Sequence, residues 1–94
     1  HVTVLVQARK IEKMKTRLHP LSFIELIYPS DANFLLMRVS DSQALVNFMR
    51  QSGILLRDRS GLKGCHNCVR LTIGTPKQNQ FVLKNMKKFE RSYS

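Results

Sequence analysis

The apolar residues of this chain switch repeatedly between helical and strand spacing, and this alternation sets the fold class. Ile11, Met14 and Leu18 form a helical stripe that should end before Pro20. Two strand-like segments follow, FIELIY from residue 23 and NFLLMRV from residue 33, with a turn over residues 29–31 between them. The pattern predicts an amphipathic helix and then a pair of strands that we expect to be antiparallel.

The first six residues, HVTVLV, fit two structures. Their alternating valines would suit a strand, yet they continue without a break into the helical stripe. We interpret the whole segment as one helix.

The middle of the chain contains a helix with signals at both ends. Asp41 stands where an N-cap belongs, and Gly53 is placed like a C′ glycine. Leu45, Phe48 and Met49 form the apolar stripe between them, so we expect a helix of about three turns.

The rest of the chain predicts two short strands and a final helix. The strands are ILLR and VRLTIG, separated by a polar loop over residues 58–67. Thr75 is a candidate N-cap with Pro76 at N1, and the last helix buries Val82, Met86 and Phe89. The order α-β-β-α-β-β-α predicts a single α+β domain over residues 1–94, with a four-stranded antiparallel or mixed sheet and helices packed on one face.

Charge and length narrow the possible functions. Lys plus Arg total 16 against six Asp plus Glu, a net charge of +10 that can attract nucleic acid, anionic membranes or phosphorylated metabolites.

The longest apolar runs are far shorter than the roughly 20 residues of a membrane span, so we expect a soluble protein without membrane contact. No signal peptide is visible, although a chain that begins on His1 can have lost its true start. Two cysteines indicate a reducing, cytoplasmic setting.

Cys65 and Cys68 have the C-x₂-C spacing of a zinc knuckle or a redox pair. Structural zinc needs a second pair of ligands, and His1 and His19 are not arranged as one. In a redox pair the first cysteine usually lies at a helix N-terminus, which stabilises its thiolate, whereas this pair precedes a predicted strand. We therefore predict packing residues and no metal site.

Arg70 interrupts the apolar run of its strand and should share a face with Thr72, opposite Val69, Leu71 and Ile73. It either grips an anion such as a carboxylate or phosphate, or lies on an exposed sheet face.

Arg57 and Arg59 flank Asp58 at the end of the preceding strand. This cluster is either a phosphate site or a nearly neutral surface Arg/Asp pair. The lysine stripes on the outer helices are typical of solvated faces, with no aromatic residues interleaved and no P-loop in SGLKGC.

Three motifs in this order and spacing, YPSDANFLL, GILLRDRS and CVRLTIGTP, resemble the C-terminal small domain of histidinol-phosphate aminotransferases. These are pyridoxal-phosphate enzymes of fold type I. The resemblance covers roughly residues 9–89. It implies that the whole enzyme moves an amino group between glutamate and imidazole-acetol phosphate in histidine biosynthesis.

The resemblance also assigns residues. It implies that Arg70 holds the substrate's anionic group and that Arg57 contacts the phosphate of histidinol phosphate or the distal carboxylate of glutamate. The cofactor lysine and most of the phosphate cup belong to a large domain that has no counterpart here. We therefore expect no catalytic residue, no bound pyridoxal phosphate and no transamination by this chain alone. Asn33 lies in a family motif without an assigned contact.

Partners follow from the same resemblance. The parent enzyme should be a homodimer, and the chain alone should self-associate through HVTVLV, whose apolar residues have lost their cover. The alternative function is a small basic module that binds nucleic acid through phosphate contacts, which we do not expect.

Overall fold

A computed structural model describes residues 2–28, 34–61 and 66–93 of the chain. Within these residues the elements run in the order α1 (Val2–Leu18), β1 (Ile24–Ile27), β2 (Phe34–Val39), α2 (Ser42–Gln51), β3 (Arg57–Asp58), β4 (Cys68–Thr72) and α3 (Pro76–Tyr93). The predicted order and the α+β class are confirmed, and the segment from residue 2 to residue 6 is helical. No helix in the described ranges is long and apolar enough to cross a membrane.

The four strands form one sheet in the order β1-β2-β4-β3, and every neighbouring pair is antiparallel. The sheet is therefore antiparallel rather than mixed. Strands β2 and β4 lie at its centre, and β3 forms one edge. Strand β1, at the other edge, has an irregular register between Ile24 and Leu26.

Helix α2 begins and ends at the predicted residues. The Asp41 side chain accepts a hydrogen bond from the Ala44 N–H at 3.1 Å, as an N-cap does. At the other end Gly53 has φ +81°, and its N–H donates to the Arg50 carbonyl while the Ile54 N–H donates to the Met49 carbonyl. This pair of bonds is a Schellman motif, and its left-handed position favours glycine.

Helix α3 begins with a reciprocal cap. The Gln78 N–H donates to the Thr75 hydroxyl at 3.2 Å, and the Thr75 N–H donates to the Gln78 side chain at 2.9 Å. Pro76 follows as the first helical residue. The predicted start of this helix is confirmed.

The hydrophobic core lies between the helices and one face of the sheet. Burial alternates along β2, where Leu35, Met37 and Val39 are buried. All three helices contribute the apolar stripes expected from their spacing. The buried helix residues are Ile11, Met14, Leu18, Leu45, Val46, Met49, Val82, Leu83, Met86 and Phe89. Helices on one face of an antiparallel sheet are therefore confirmed.

The segment predicted as the strand ILLR is mostly not a strand. Only Arg57 and Asp58 pair with β4, although Ile54 and Leu56 are buried and Leu55 is 79% exposed. The N–H of Ile54 is used by the α2 cap, so the chain cannot join the ladder until it has left the helix end. The ladder instead reaches further along the chain, because the Arg59 N–H donates to the Cys68 carbonyl at 2.8 Å.

Candidate anion-binding site

Arg57 and Arg70 lie directly opposite each other on neighbouring strands. Their Cα atoms are register partners in the β3–β4 pair. Partners in an antiparallel pair project from the same face, with Cβ atoms about 4.5–5.5 Å apart. Arg57 is exposed and Arg70 is partly buried. The structure therefore brings together the two arginines that the sequence analysis selected separately.

These arginines project from the side of the sheet that carries no helix. On β4, Val69 and Leu71 face the core, whereas Thr72 is exposed. The predicted split of faces in this strand is confirmed. We call this side the open face, defined by the strand residues Leu26, Phe34, Leu36, Arg38, Arg57, Cys68, Arg70 and Thr72.

An aromatic ring supports Arg70. The guanidinium carbon of Arg70 lies over the ring of Phe34, 5.1 Å from its centroid. Phe34 is the register partner of Thr72, so its ring is diagonal to Arg70 across β2 and β4. A cation–π contact of this kind orients the guanidinium without using its N–H donors, which stay available to an anion.

The carboxylate of Asp58 lies on the face of the sheet opposite Arg57. Its register partner is Val69, which faces the core, so Asp58 belongs to the face opposite Arg57. Its carboxylate accepts hydrogen bonds from the Ser60 N–H at 2.9 Å and the Ser42 hydroxyl at 3.4 Å. Hydrogen bonds from the Ser60 hydroxyl and the Ser60 N–H are the largest causes that hold the pKa of Asp58 below its ordinary 3.8. Burial opposes them, and the Ser42 hydroxyl adds a smaller lowering effect.

The possible surface Arg/Asp pair is therefore absent. Within the described parts of the chain, neither Arg57 nor Arg59 forms an ion pair with Asp58, and the ion pair found there joins Lys15 to Glu12 at 3.5 Å. Asp58 therefore does not neutralise Arg57 or Arg59.

A third arginine, Arg38, lies on the same face. It is paired with Leu26 on β1 and with Cys68 on β4. Its Nε is covered by protein and has no hydrogen-bond partner among the described residues. A covered donor left without an acceptor costs about 1–3 kcal/mol.

Arg38 was not predicted as a site residue, because NFLLMRV has the pattern of an almost unbroken apolar run. A signal was present in the period of two, which places Phe34, Leu36 and Arg38 on one face and the three more deeply buried residues on the other.

No carboxylate neutralises this face within the described ranges. Glu25 lies at the irregularity in β1, beside the pairing of Leu26 with Arg38, and forms no ion pair with Arg38. Three guanidinium groups without counter-charges produce a local positive potential that attracts anions. The open face can therefore bind a phosphate or carboxylate group.

The cysteine motif is only partly described. Cys68 is buried in β4, and its thiol donates to the His66 carbonyl at 3.6 Å. Cys65 and Asn33 lie outside the described residues. Among the residues described, no three His, Cys, Asp or Glu side chains come together as a metal site would require.

Pyridoxal phosphate would need a lysine beside the arginines. Every lysine within the described parts of the chain lies on α1 or α3, whereas the three arginines lie on the sheet. The described part of the open face therefore offers guanidinium groups for an anion and no lysine.

Comparison with known proteins supports the resemblance to histidinol-phosphate aminotransferases that the motifs indicate. The chain is 42% identical over 87 residues to histidinol-phosphate aminotransferase of Flavobacterium psychrophilum, matching 93% of this chain and 25% of that protein. It is also 42% identical over 84 residues to the enzyme of the same name from Parabacteroides distasonis, matching 89% of the chain and 24% of the relative. The chain thus spans about a quarter of the length of these relatives. No protein-family model matches it.

Solved structures agree in fold. Histidinol-phosphate aminotransferase from Clostridium acetobutylicum superposes with a TM-score of 0.84 at 23% identity, over 90% of this chain and 26% of that one. L-threonine-O-3-phosphate decarboxylase from Porphyromonas gingivalis gives a TM-score of 0.79 at 29% identity, over 90% of this chain and 27% of that one. The nucleic-acid-binding alternative gains no support from these relatives. In sequence, this chain is therefore similar to about one quarter of the length of the proteins named histidinol-phosphate aminotransferase, and in fold it matches part of a solved structure of that name.

Proposed function

We propose that residues 1–94 are the small domain of a histidinol-phosphate aminotransferase and that Arg57 and Arg70 bind the substrate's anionic group. The observation that carries this proposal is the direct pairing of these two arginines on the open face, without an ion-pair partner among the described residues. Two opposed guanidinium groups repel each other, and an anion that lies between them offsets this repulsion.

The chemistry of the relatives points to a phosphate ester as that anion. Histidinol phosphate and L-threonine-O-3-phosphate, after which two of the relatives are named, both carry one. A phosphate ester is mostly a dianion at pH 7 and offers three acceptor oxygens, so it can accept hydrogen bonds from two arginines at once. Its oxygens and charge match the open face better than a single carboxylate does.

In this mechanism the chain binds and orients the substrate. Arg70, held over the ring of Phe34, provides a guanidinium of fixed position, and Arg57 completes the grip from the edge strand. Such anchoring holds the reacting end of the substrate in register with groups on the rest of the enzyme. Pyridoxal phosphate, bound by the remainder of the parent enzyme, supplies the amino-group transfer chemistry. The chain alone should not transaminate.

A chimeric enzyme tests the proposal. The matching 87 residues of the Flavobacterium psychrophilum enzyme are replaced by this chain, and amino transfer between histidinol phosphate and 2-oxoglutarate is measured. We expect an active chimera. Arg70→Gln and Arg57→Gln should each lower kcat/KM for histidinol phosphate about 10²-fold, since a charge-assisted contact contributes about 1.5–3 kcal/mol.

Arg50→Gln is the matched control, because Arg50 is exposed on α2 and lies outside the open face. It should leave kcat/KM unchanged. An active chimera that tolerates Arg57→Gln and Arg70→Gln would contradict the assignment. Decarboxylation of L-threonine O-3-phosphate, without amino transfer, would instead identify the chain with the second relative.

The assembly and location of the protein also remain proposals. The parent enzyme should be a cytoplasmic homodimer, and the chain alone should self-associate through HVTVLV. Light scattering that gives a monomeric mass at high protein concentration would contradict the self-association. Steep, salt-dependent binding of DNA or RNA would favour the nucleic-acid-binding alternative.

A further inference from the structure

We infer that Arg38 is a specificity-determining residue of the open face, which joins Arg57 and Arg70 in binding a phosphate dianion in preference to a carboxylate. The inference rests on the proposed role of Arg57 and Arg70. Neither the relatives nor the sequence motifs assign any function to Arg38.

The register places Arg38 diagonal to Arg70, and the strand of Arg70 lies between the strands of Arg38 and Arg57. Arg70 is opposite Leu36 on β2, and Arg38 is two residues further along that strand. Arg38 and Arg70 are therefore diagonal neighbours on one face, about 7–8 Å apart at the backbone and within reach of two long side chains. One anion on the open face can contact both.

The surroundings of Arg38 explain why it needs an outside acceptor. Its register partners, Leu26 and Cys68, offer no carboxylate, and Glu25 forms no ion pair with it. Its Nε is covered and lacks a partner in the described part of the chain. The present rotamer thus leaves a donor unused, and the proposed contact requires a rotation toward Arg70 that exposes this donor.

Charge opposes this rotation when no ligand is bound. Moving the Arg38 guanidinium toward Arg70 and Arg57 brings three positive charges together. A phosphate dianion offsets more of this repulsion than a carboxylate monoanion and has an extra oxygen for the third guanidinium. Arg38 should therefore increase affinity for the dianion far more than for the monoanion.

The 94-residue chain is titrated at pH 7.5 with methyl phosphate and with acetate, and binding is followed by NMR chemical shifts. Arg38→Gln should weaken methyl phosphate binding about tenfold and acetate binding less than about threefold. Arg38→Lys, which keeps the charge but not the forked donors, should recover part of the loss. Arg50→Gln is the matched control and should bind both anions like the original chain.

A second readout separates binding from a merely structural effect. Below about pH 5 methyl phosphate is a monoanion, so the Arg38→Gln effect should shrink to that seen with acetate. A uniform loss for both anions at every pH would overturn the inference.

Failure of the inference can be told from failure of the proposed function. Should Arg70→Gln and Arg57→Gln weaken methyl phosphate binding while Arg38→Gln does not, the role of Arg38 is wrong and the proposed function stands. Should the original chain bind no methyl phosphate, or bind it independently of Arg57 and Arg70, both are wrong. If Arg38→Gln does not fold, Arg38→Lys is used instead. A larger loss of affinity for methyl phosphate than for acetate then supports the role of Arg38, and equal losses contradict it.

Discussion

The two faces of the sheet use the same strands for different purposes. On the face covered by helices, Leu35, Met37 and Val69 are fully buried in the hydrophobic core. One residue along each strand, the open face carries Leu36, Arg38 and Arg70, which are only partly buried. Because side chains alternate along a strand, one backbone supports both a core and a charged surface.

The difference shows where stability and binding are located in this molecule. The covered face removes apolar area from water, which is the main favourable term in folding. The open face instead keeps three arginines without counter-charges among the described residues, an arrangement that contributes little to stability and leaves their donors for an anion. The comparison can be tested by substitutions at neighbouring positions.

The largest expected effect compares Met37→Ala with Leu36→Ala. Met37 is completely buried, so its truncation leaves a cavity and should lower the free energy of unfolding by about 2–5 kcal/mol. Leu36, one residue away on the open face, should lose about 1 kcal/mol or less, because it is only partly buried. Urea unfolding followed by circular dichroism measures both. Equal losses would contradict the distinction between the faces.

A smaller effect concerns the contact between Arg70 and Phe34. A double-mutant cycle with Arg70→Gln and Phe34→Leu should give a coupling free energy of about 0.5–1 kcal/mol, as expected for a cation–π pair. The matched cycle, with Arg50→Gln in place of Arg70→Gln, should give no coupling. A zero value in the first cycle would mean that the ring does not position the guanidinium.

Removing charge from the open face should be nearly neutral for folding. Arg57→Gln relieves repulsion with its partner Arg70, so it should raise the free energy of unfolding by up to about 0.5 kcal/mol at low salt. At high salt the gain should disappear, because exposed charges are screened. Urea midpoints at two salt concentrations check this. A clear loss of stability would assign Arg57 a structural role.

The smallest effect is the acid dependence of Asp58, the carboxylate on the face opposite Arg57. Its pKa is below 3.8 in the folded chain because of hydrogen bonds led by the Ser60 hydroxyl, so the unfolded chain binds the proton more tightly. The resulting stability is fully present above about pH 5 and is lost as the pH falls below 3.8 toward the folded value. Asp58→Asn should remove this part of the dependence. An unchanged pH profile of urea midpoints would show that the serine contacts do not stabilise the charge.

The elements were predictable wherever their signals are local. Asp41 and Gly53 delimit α2, and Thr75 and Gln78 cap α3, because caps are made by residues only a few positions apart. The helix stripes and the alternation in β4 predicted the core for the same reason. The strand at residues 54–57 was misplaced, because its hydrogen bonds depend on where a distant strand, β4, begins and ends.

The candidate site was predictable only in part. Arg70 was selected because it interrupts an apolar run. Arg57 was selected because it lies close to Arg59 at the end of a predicted strand and because a family motif contains it. Arg38 was not predicted as a site residue. Its candidate role depends on an Nε donor without a partner among the described residues and on strand neighbours more than 10 residues away in sequence. No local pattern can report that combination.

By itself the sequence determined the order of elements, the helix ends, the residues of the core and the excess of positive charge. These depend on spacing, capping and composition, which act over a few residues or over the whole chain. Only the tertiary structure decided that Arg57 faces Arg70, that Asp58 lies on the other side and that Arg38 joins the same face. The physical reason is that register between distant strands, set by packing against the helices, determines which charges become neighbours.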